Sequence, residues 1–173
     1  LYYNDDYKTF PEENMKTKLK TLFLQASVIV ASLLTVEAGF VAHLLSYELT
    51  KDNPGIAYMQ MPVLFLVFLA LGCVFSALVA AFILLERIRH GKVFEVTSVK
   101  ILRVIGMLVL ATILPLIVIF FYINASTPGI TNITNYWVVL GGFISLVLSI
   151  FIFLIATLFE EAVQYKQEND LTV

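Results

Sequence analysis

Met61 to Leu85 reads MPVLFLVFLALGCVFSALVAAFILL, an apolar run without one charged side chain. As a helix rising about 1.5 Å per residue, it is long enough to cross a hydrocarbon layer about 30 Å thick. Leu22–Tyr47, Ile101–Ile123 and Tyr136–Phe159 are apolar stretches of similar kind. Together the four take up most of a 173-residue chain that is 60% hydrophobic and only 14% charged, with a mean hydropathy of +0.89. The apolar residues come in blocks rather than amphipathic stripes, which excludes an ordinary soluble core. The expected fold is all-α, an integral membrane four-helix bundle, with too little chain left over for a soluble domain.

Charge placement orients the spans. Lys16, Lys18 and Lys20 precede the first; Arg87, Arg89, Lys92, Lys100 and Arg103 fall around the connection between the second and third; Lys166 follows the fourth. The other two connections hold Lys51 and, over 124–135, no charge. Basic residues near span ends favour the cytoplasmic side, so both termini and the central loop are expected inside a cell membrane. Tyr47, Tyr58, Tyr122, Tyr136 and Trp137 gather at the opposite span ends, as an interfacial aromatic belt does. Leu22–Tyr47 is much longer than the about 7–15 apolar residues of a signal peptide and lacks a small-x-small cleavage site, so it reads as a retained anchor. Residues 1–14, LYYNDDYKTFPEEN, are polar and acidic without apolar period. Met15 then opens the basic stretch MKTKLK, so 15–173 reads as the membrane domain. The extension before it reads either as translated sequence foreign to the native chain or as a polar tail.

Small or polar residues recur every fourth position in three spans: Ser27, Ala31, Thr35, Gly39 and His43; Gly72, Ser76 and Ala80, beside Cys73, Ala77 and Ala81; Gly141, Ser145 and Ser149. Rows of this kind let membrane helices approach closely. Pro115 lacks the N–H its turn needs and is expected to kink the third span. Asp52–Asn53–Pro54–Gly55 reads as a turn. Gly91 is expected to end the second helix, and Thr97 or Ser98 to cap the third. Lys100 and Arg103, three residues apart, are expected to snorkel to lipid phosphates. Asn124-Ala-Ser and Asn132-Ile-Thr match the glycosylation acceptor pattern but are read as unmodified.

Glu37 is the outlier among the polar groups. It falls about 22 Å into a layer about 30 Å thick, where an ionisable side chain points to function. On a helical wheel it shares a bulky apolar face with Val30, Leu33, Phe40 and Leu44 rather than the small-residue row. It reads as a proton or cation site, or as an acid hydrogen-bonded to a neighbour. His43, six residues on, lies on a different face and is the second intramembrane candidate. Glu160 and Glu161 open a charged tail expected to continue the fourth helix and to meet Arg87, Arg89 or Lys92. Cys73 has no second cysteine to pair with and reads as a packing residue. The chain carries no nucleophile elbow, phosphate loop or metal-ligand spacing. No catalytic residue, metal or cofactor is assigned, and the expectation is a protein that is not an enzyme.

The ending Glu168-Asn-Asp-Leu-Thr-Val after a fourth span, with Gly91-Lys-Val-Phe, Ser98-Val-Lys and Leu102-Arg-Val-Ile around the central loop, resembles YoaS-like bacterial membrane proteins. That family comprises small four-span proteins of unknown function, and the resemblance covers about 15–173. Such proteins are often encoded beside a small helix-turn-helix regulator. The resemblance therefore implies a bacterial regulatory or sensory protein that docks a cytoplasmic transcriptional regulator and touches no nucleic acid itself. The residues expected to dock it are Arg87, Arg89, Lys92 and Phe94, with Glu168, Asn169, Asp170 and Leu171 of the tail through Val173. A homo-oligomer is a further expectation. The alternative is a small transporter, or an immunity protein against a membrane-active peptide, with Glu37 lining a polar cavity.

Overall fold

The computed structural model describes the backbone of residues 9–52, 54–90, 95–126 and 132–170, and the side chains of 19–52, 54–90, 95–126 and 135–168. Helix α1 spans Thr9–Asp52, a 3-10 turn spans Pro54–Met59, and α2 spans Gln60–Arg89. Then come α3, Val96–Ala111, α4, Ile113–Ser126, and α5, Asn132–Asp170. The described residues form four helical units long and apolar enough to cross a membrane, the third built from α3 and α4 together. The all-α membrane fold is thus observed. The helix of α1 also takes in Thr9–Asn14, the latter part of the polar extension.

Each span packs on the next in chain order. α1 lies against α2, α2 against both α3 and α4, and α5 against both α3 and α4, while α1 and α5 make no close approach among the described residues. The third span is consequently the most enclosed: 28% of its most apolar window is buried, against 6% for the first and fourth. The remaining apolar side chains, such as Phe23, Phe65, Leu114 and Phe143, point outward. In water that surface would be prohibitive; in hydrocarbon it is the matching solvent.

Close contacts follow the small residues in part. Gly39 is buried against the Phe68 ring and Leu71 of α2, with Ala31 and Thr35 half-buried on the same side of α1. On α2 the row turned inward is Cys73, Ala77 and Ala81, whereas Gly72 and Ser76 are exposed. Ser149 of α5 is fully buried, and its hydroxyl donates to the Gly106 carbonyl of α3 at 3.1 Å. Gly106 itself lies against Phe153 and Ile152, an approach the small-residue rows did not include.

The third span breaks where proline requires it. Pro115 has no N–H for the Ala111 carbonyl four residues back, and its ring crowds that carbonyl. α3 ends at Ala111, Thr112 stands between the helices, and α4 begins at Ile113. The Thr112 amide and hydroxyl both turn to the Val109 carbonyl, at 3.3 and 2.7 Å. Pro115 is buried, so the break is held within the packed interior.

One expectation about helix ends is corrected. Glu95, with extended backbone (φ −116°, ψ 146°), is the N-cap of α3, so Thr97 and Ser98 lie inside its first turn rather than capping it. Ser98 is buried there, and its amide bonds back to the Glu95 carbonyl at 2.9 Å. α2 closes at Arg89 with His90 as C-cap; Gly91 lies outside the described residues.

Candidate functional site

Antiparallel packing of successive helices brings the start of α1, the end of α2, the start of α3 and the end of α5 to one end of the molecule. Lys20, Arg87, Arg89, Lys100, Arg103 and Lys166 are there, and polar contacts tie the elements together. Gln25 of α1 is buried and donates its Nε2–H to Glu86 Oε2 of α2 at 2.6 Å. His90 Nε2 lies 3.0 Å from the other oxygen of the same carboxylate, and Arg89 lies 3.6 Å away. Arg87 donates to Glu95 at 2.6 Å, linking the end of α2 to the start of α3. Arg103 of α3 pairs with Glu160 of α5. All four spans are joined at this end by side chains from non-adjacent positions.

The acidic and basic groups are partnered differently from the sequence expectation. Glu160 meets Arg103, not Arg87 or Arg89, because α5 packs on α3 and not on α2 among the described residues. Arg103 is thereby held by protein, while Lys100, three residues earlier, is exposed. Exposed pairs of this kind contribute about 0–1 kcal/mol each, so they fix position more than stability. The Gln25 bond is of another kind, with a buried amide donating to a carboxylate, a charge-assisted bond stronger than one between neutral groups.

A groove of about 490 Å³ opens beside this network, lined by Phe82, Ile83, Glu86, Arg87 and His90. Its lining of Phe82 and Ile83 with Glu86, Arg87 and His90 lies at the boundary between the apolar span and the basic end. α5 continues as helix beyond its apolar stretch to Asp170, with Glu161, Gln164, Tyr165 and Lys166 exposed along it. Of the expected docking residues, Arg87 is half-buried, and Arg89 and Glu168 are exposed. Asn169 and Asp170 are helical in backbone, and Lys92, Phe94 and Leu171–Val173 lie outside the described residues.

The opposite end carries the aromatic belt. Tyr47, Tyr58, Tyr136 and Trp137 are exposed, the last two in edge contact at 5.8 Å. Asn135 donates to Asn124 Oδ1 at 2.8 Å, and Asn124 donates to the Phe120 carbonyl at 2.8 Å, tying α5 to α4. The Asn124 amide of the first glycosylation pattern is thus engaged in protein hydrogen bonds.

Glu37 and His43 stand apart from both ends. Each is exposed on α1 and makes no hydrogen bond or ion pair with any described residue. The groove nearest Glu37 in sequence, about 280 Å³, is apolar and lined by Thr35, Val36, Gly39 and residues of α2, on the side of α1 that Glu37 turns away from. Among the described residues no three of His, Cys, Asp and Glu group closely enough to hold a metal ion.

Gln25, Glu86, Glu95 and Gly106 were not singled out by sequence reasoning. Gln25 was the one visible signal: a lone amide near the start of an apolar span, at the depth where the facing helix carries an acid.

No curated protein and no solved structure matches the chain. Residues 44–173 match a family described as Protein of unknown function (DUF2975). The match takes in the basic-end residues of α2, α3 and α5 and leaves Gln25, Glu37 and His43 upstream of it. An uncharacterised family was expected from the resemblance, and the match bears on neither the YoaS-like name nor a bacterial source. With most of its length inside that match, the chain belongs to the DUF2975 family of proteins of unknown function.

Proposed function

We propose that this protein is a non-enzymatic, regulatory or sensory component of a bacterial cell membrane that docks a soluble partner at its basic end. That end faces the cytoplasm in this reading, as the placement of Lys and Arg argues. The observation that carries it is the pairing of a cross-tied polar platform with a helix that runs past its own apolar span to Asp170. A helix prolonged beyond the hydrocarbon layer and anchored by Arg103–Glu160 offers a fixed surface to a protein outside the membrane. The groove lined by Phe82, Ile83, Glu86, Arg87 and His90 combines apolar and polar groups, the composition that orients a bound segment. The partner proposed is a small helix-turn-helix regulator, on the strength of the family resemblance, and no nucleic acid is contacted directly.

The test is binding of the purified regulator encoded beside this protein's gene to the full-length protein in lipid nanodiscs. Binding is expected, to be lost on deleting Glu168–Val173 and weakened about tenfold or more by Arg87→Ala with Arg89→Ala, as for partly desolvated interface arginines. Absence of binding by the intact protein, or binding unchanged by both alterations, overturns the reading.

A further inference from the structure

The exposed face of α1 carries an acid at depth with nothing among the described residues to meet it. α1 packs on α2 through Ala31, Thr35 and Gly39, and Glu37 points from the opposite side of the helix. Around Glu37 that side presents Val30, Leu33, Phe40 and Leu44, each about half exposed or more. Lipid tails satisfy these apolar side chains fully. They cannot satisfy a carboxyl about 22 Å along the span within a layer about 30 Å thick. The surface therefore needs a cover that is apolar along its length and polar at one height.

A second copy of the same helix has that composition. Membrane insertion gives every copy the same orientation, so two copies related by a twofold axis along the membrane normal present equal depths to one another. Glu37 then faces Glu37, and a carboxyl is both donor and acceptor when a proton is shared between two of them. The spacing supports the same pairing. Phe23, Ala26, Val30, Leu33, Glu37, Phe40, Leu44 and Tyr47 alternate in steps of three and four, the period of a left-handed helix pair, and every one is exposed. Glu37 is the single carboxylic acid in that seam, the role by which a polar group in a coiled coil fixes register.

We propose that α1 pairs in parallel with α1 of a second copy through the seam Val30–Leu33–Glu37–Phe40–Leu44, the two Glu37 carboxyls hydrogen-bonded to each other. The partner copy supplies the missing half of the polar site. The contact lies within the membrane-spanning part of α1, away from the basic-end docking platform, so each proposal stands or fails alone.

The test is disulfide crosslinking of full-length protein in native membranes, with Cys73→Ala as background. Single cysteines at Leu33 and Phe40 are expected to give dimers on mild oxidation, and one at Leu69, exposed on α2, is not. Glu37→Leu, which suits lipid and should not disturb the monomer, is expected to cut dimer yield about tenfold, the scale of an interhelical hydrogen bond in a membrane. Glu37→Gln, whose amide also both donates and accepts, is expected to keep it. Circular dichroism and elution of the detergent-solubilised variants verify that each remains folded. No crosslink at Leu33 or Phe40, an equal crosslink at Leu69, or a yield indifferent to Glu37→Leu overturns the proposal. So does a crosslink from Leu33 or Phe40 to another membrane protein in place of the dimer.

Discussion

Gly106 and Gly39 both sit at close helix approaches, yet they should tolerate a methyl group differently. A Cβ at Gly106 would lie 3.1 Å from the Phe153 ring and 3.3 Å from Ile152 Cγ2, so α5 hems it on two sides. A Cβ at Gly39 would lie 3.1 Å from the ring of Phe68, a residue that is 46% exposed and has room to turn. Gly106→Ala is therefore expected to destabilise the protein by about 1–3 kcal/mol, the scale of overpacking, and Gly39→Ala by less than about 1 kcal/mol. Denaturant unfolding in mixed micelles checks both; equal losses would contradict the difference in surroundings. Gly39 was legible in the sequence because it continues a row with Ala31 and Thr35. Gly106 was not, since Leu102 and Leu110 stand one turn to either side and no row forms. Its role exists only because Ser149 and Phe153 of α5 settle against it.

At the scale of elements, the division of the third span tests how much one proline decides. Pro115→Ala restores the missing amide donor to the Ala111 carbonyl and should join α3 and α4 into one helix. Spin labels at Thr97 and Ala125, both exposed, are expected to report a longer distance in the Pro115→Ala variant. An unchanged distance would mean that packing by α2 and α5 holds the break without the proline. The location of the break was readable from Pro115 alone, because its cause is local. Which helix each charged residue would tie down was not. Arg103 and Glu160 are far apart in the chain and meet through the packing of α5 on α3, while Glu86 meets Gln25 through the packing of α2 on α1.

At the scale of the molecule, the helices alternate in direction, so the basic and aromatic residues segregate to opposite ends. Sidedness then becomes a single question with one answer for all four spans. With Cys73→Ala as background, cysteine at Ala57 is expected to react with a membrane-impermeant maleimide on intact cells, and cysteine at Arg89 only after permeabilisation. The reverse pattern would place the docking platform outside and remove the cytoplasmic partner with it. The open arrangement, with α1 packed on α2 and the short 3-10 turn among the described residues, leaves a broad face of α1 available, and Glu37 marks the height at which that face is not simply lipid-facing.

The sequence by itself determined four membrane-length helices, the grouping of basic residues at one set of span ends, the proline break and the unusual position of Glu37. Each depends on length, composition or a local covalent constraint, which need no knowledge of neighbours. Only the tertiary structure decided which small residues touch, which acid pairs with which arginine, and that Glu37 turns away from its own bundle. Apolar spans can pack in several orders and rotations at similar cost, because lipid rewards burial little. The choice among them rests on contacts such as Gly106 with Phe153 and Gln25 with Glu86, which come into being only as the helices meet.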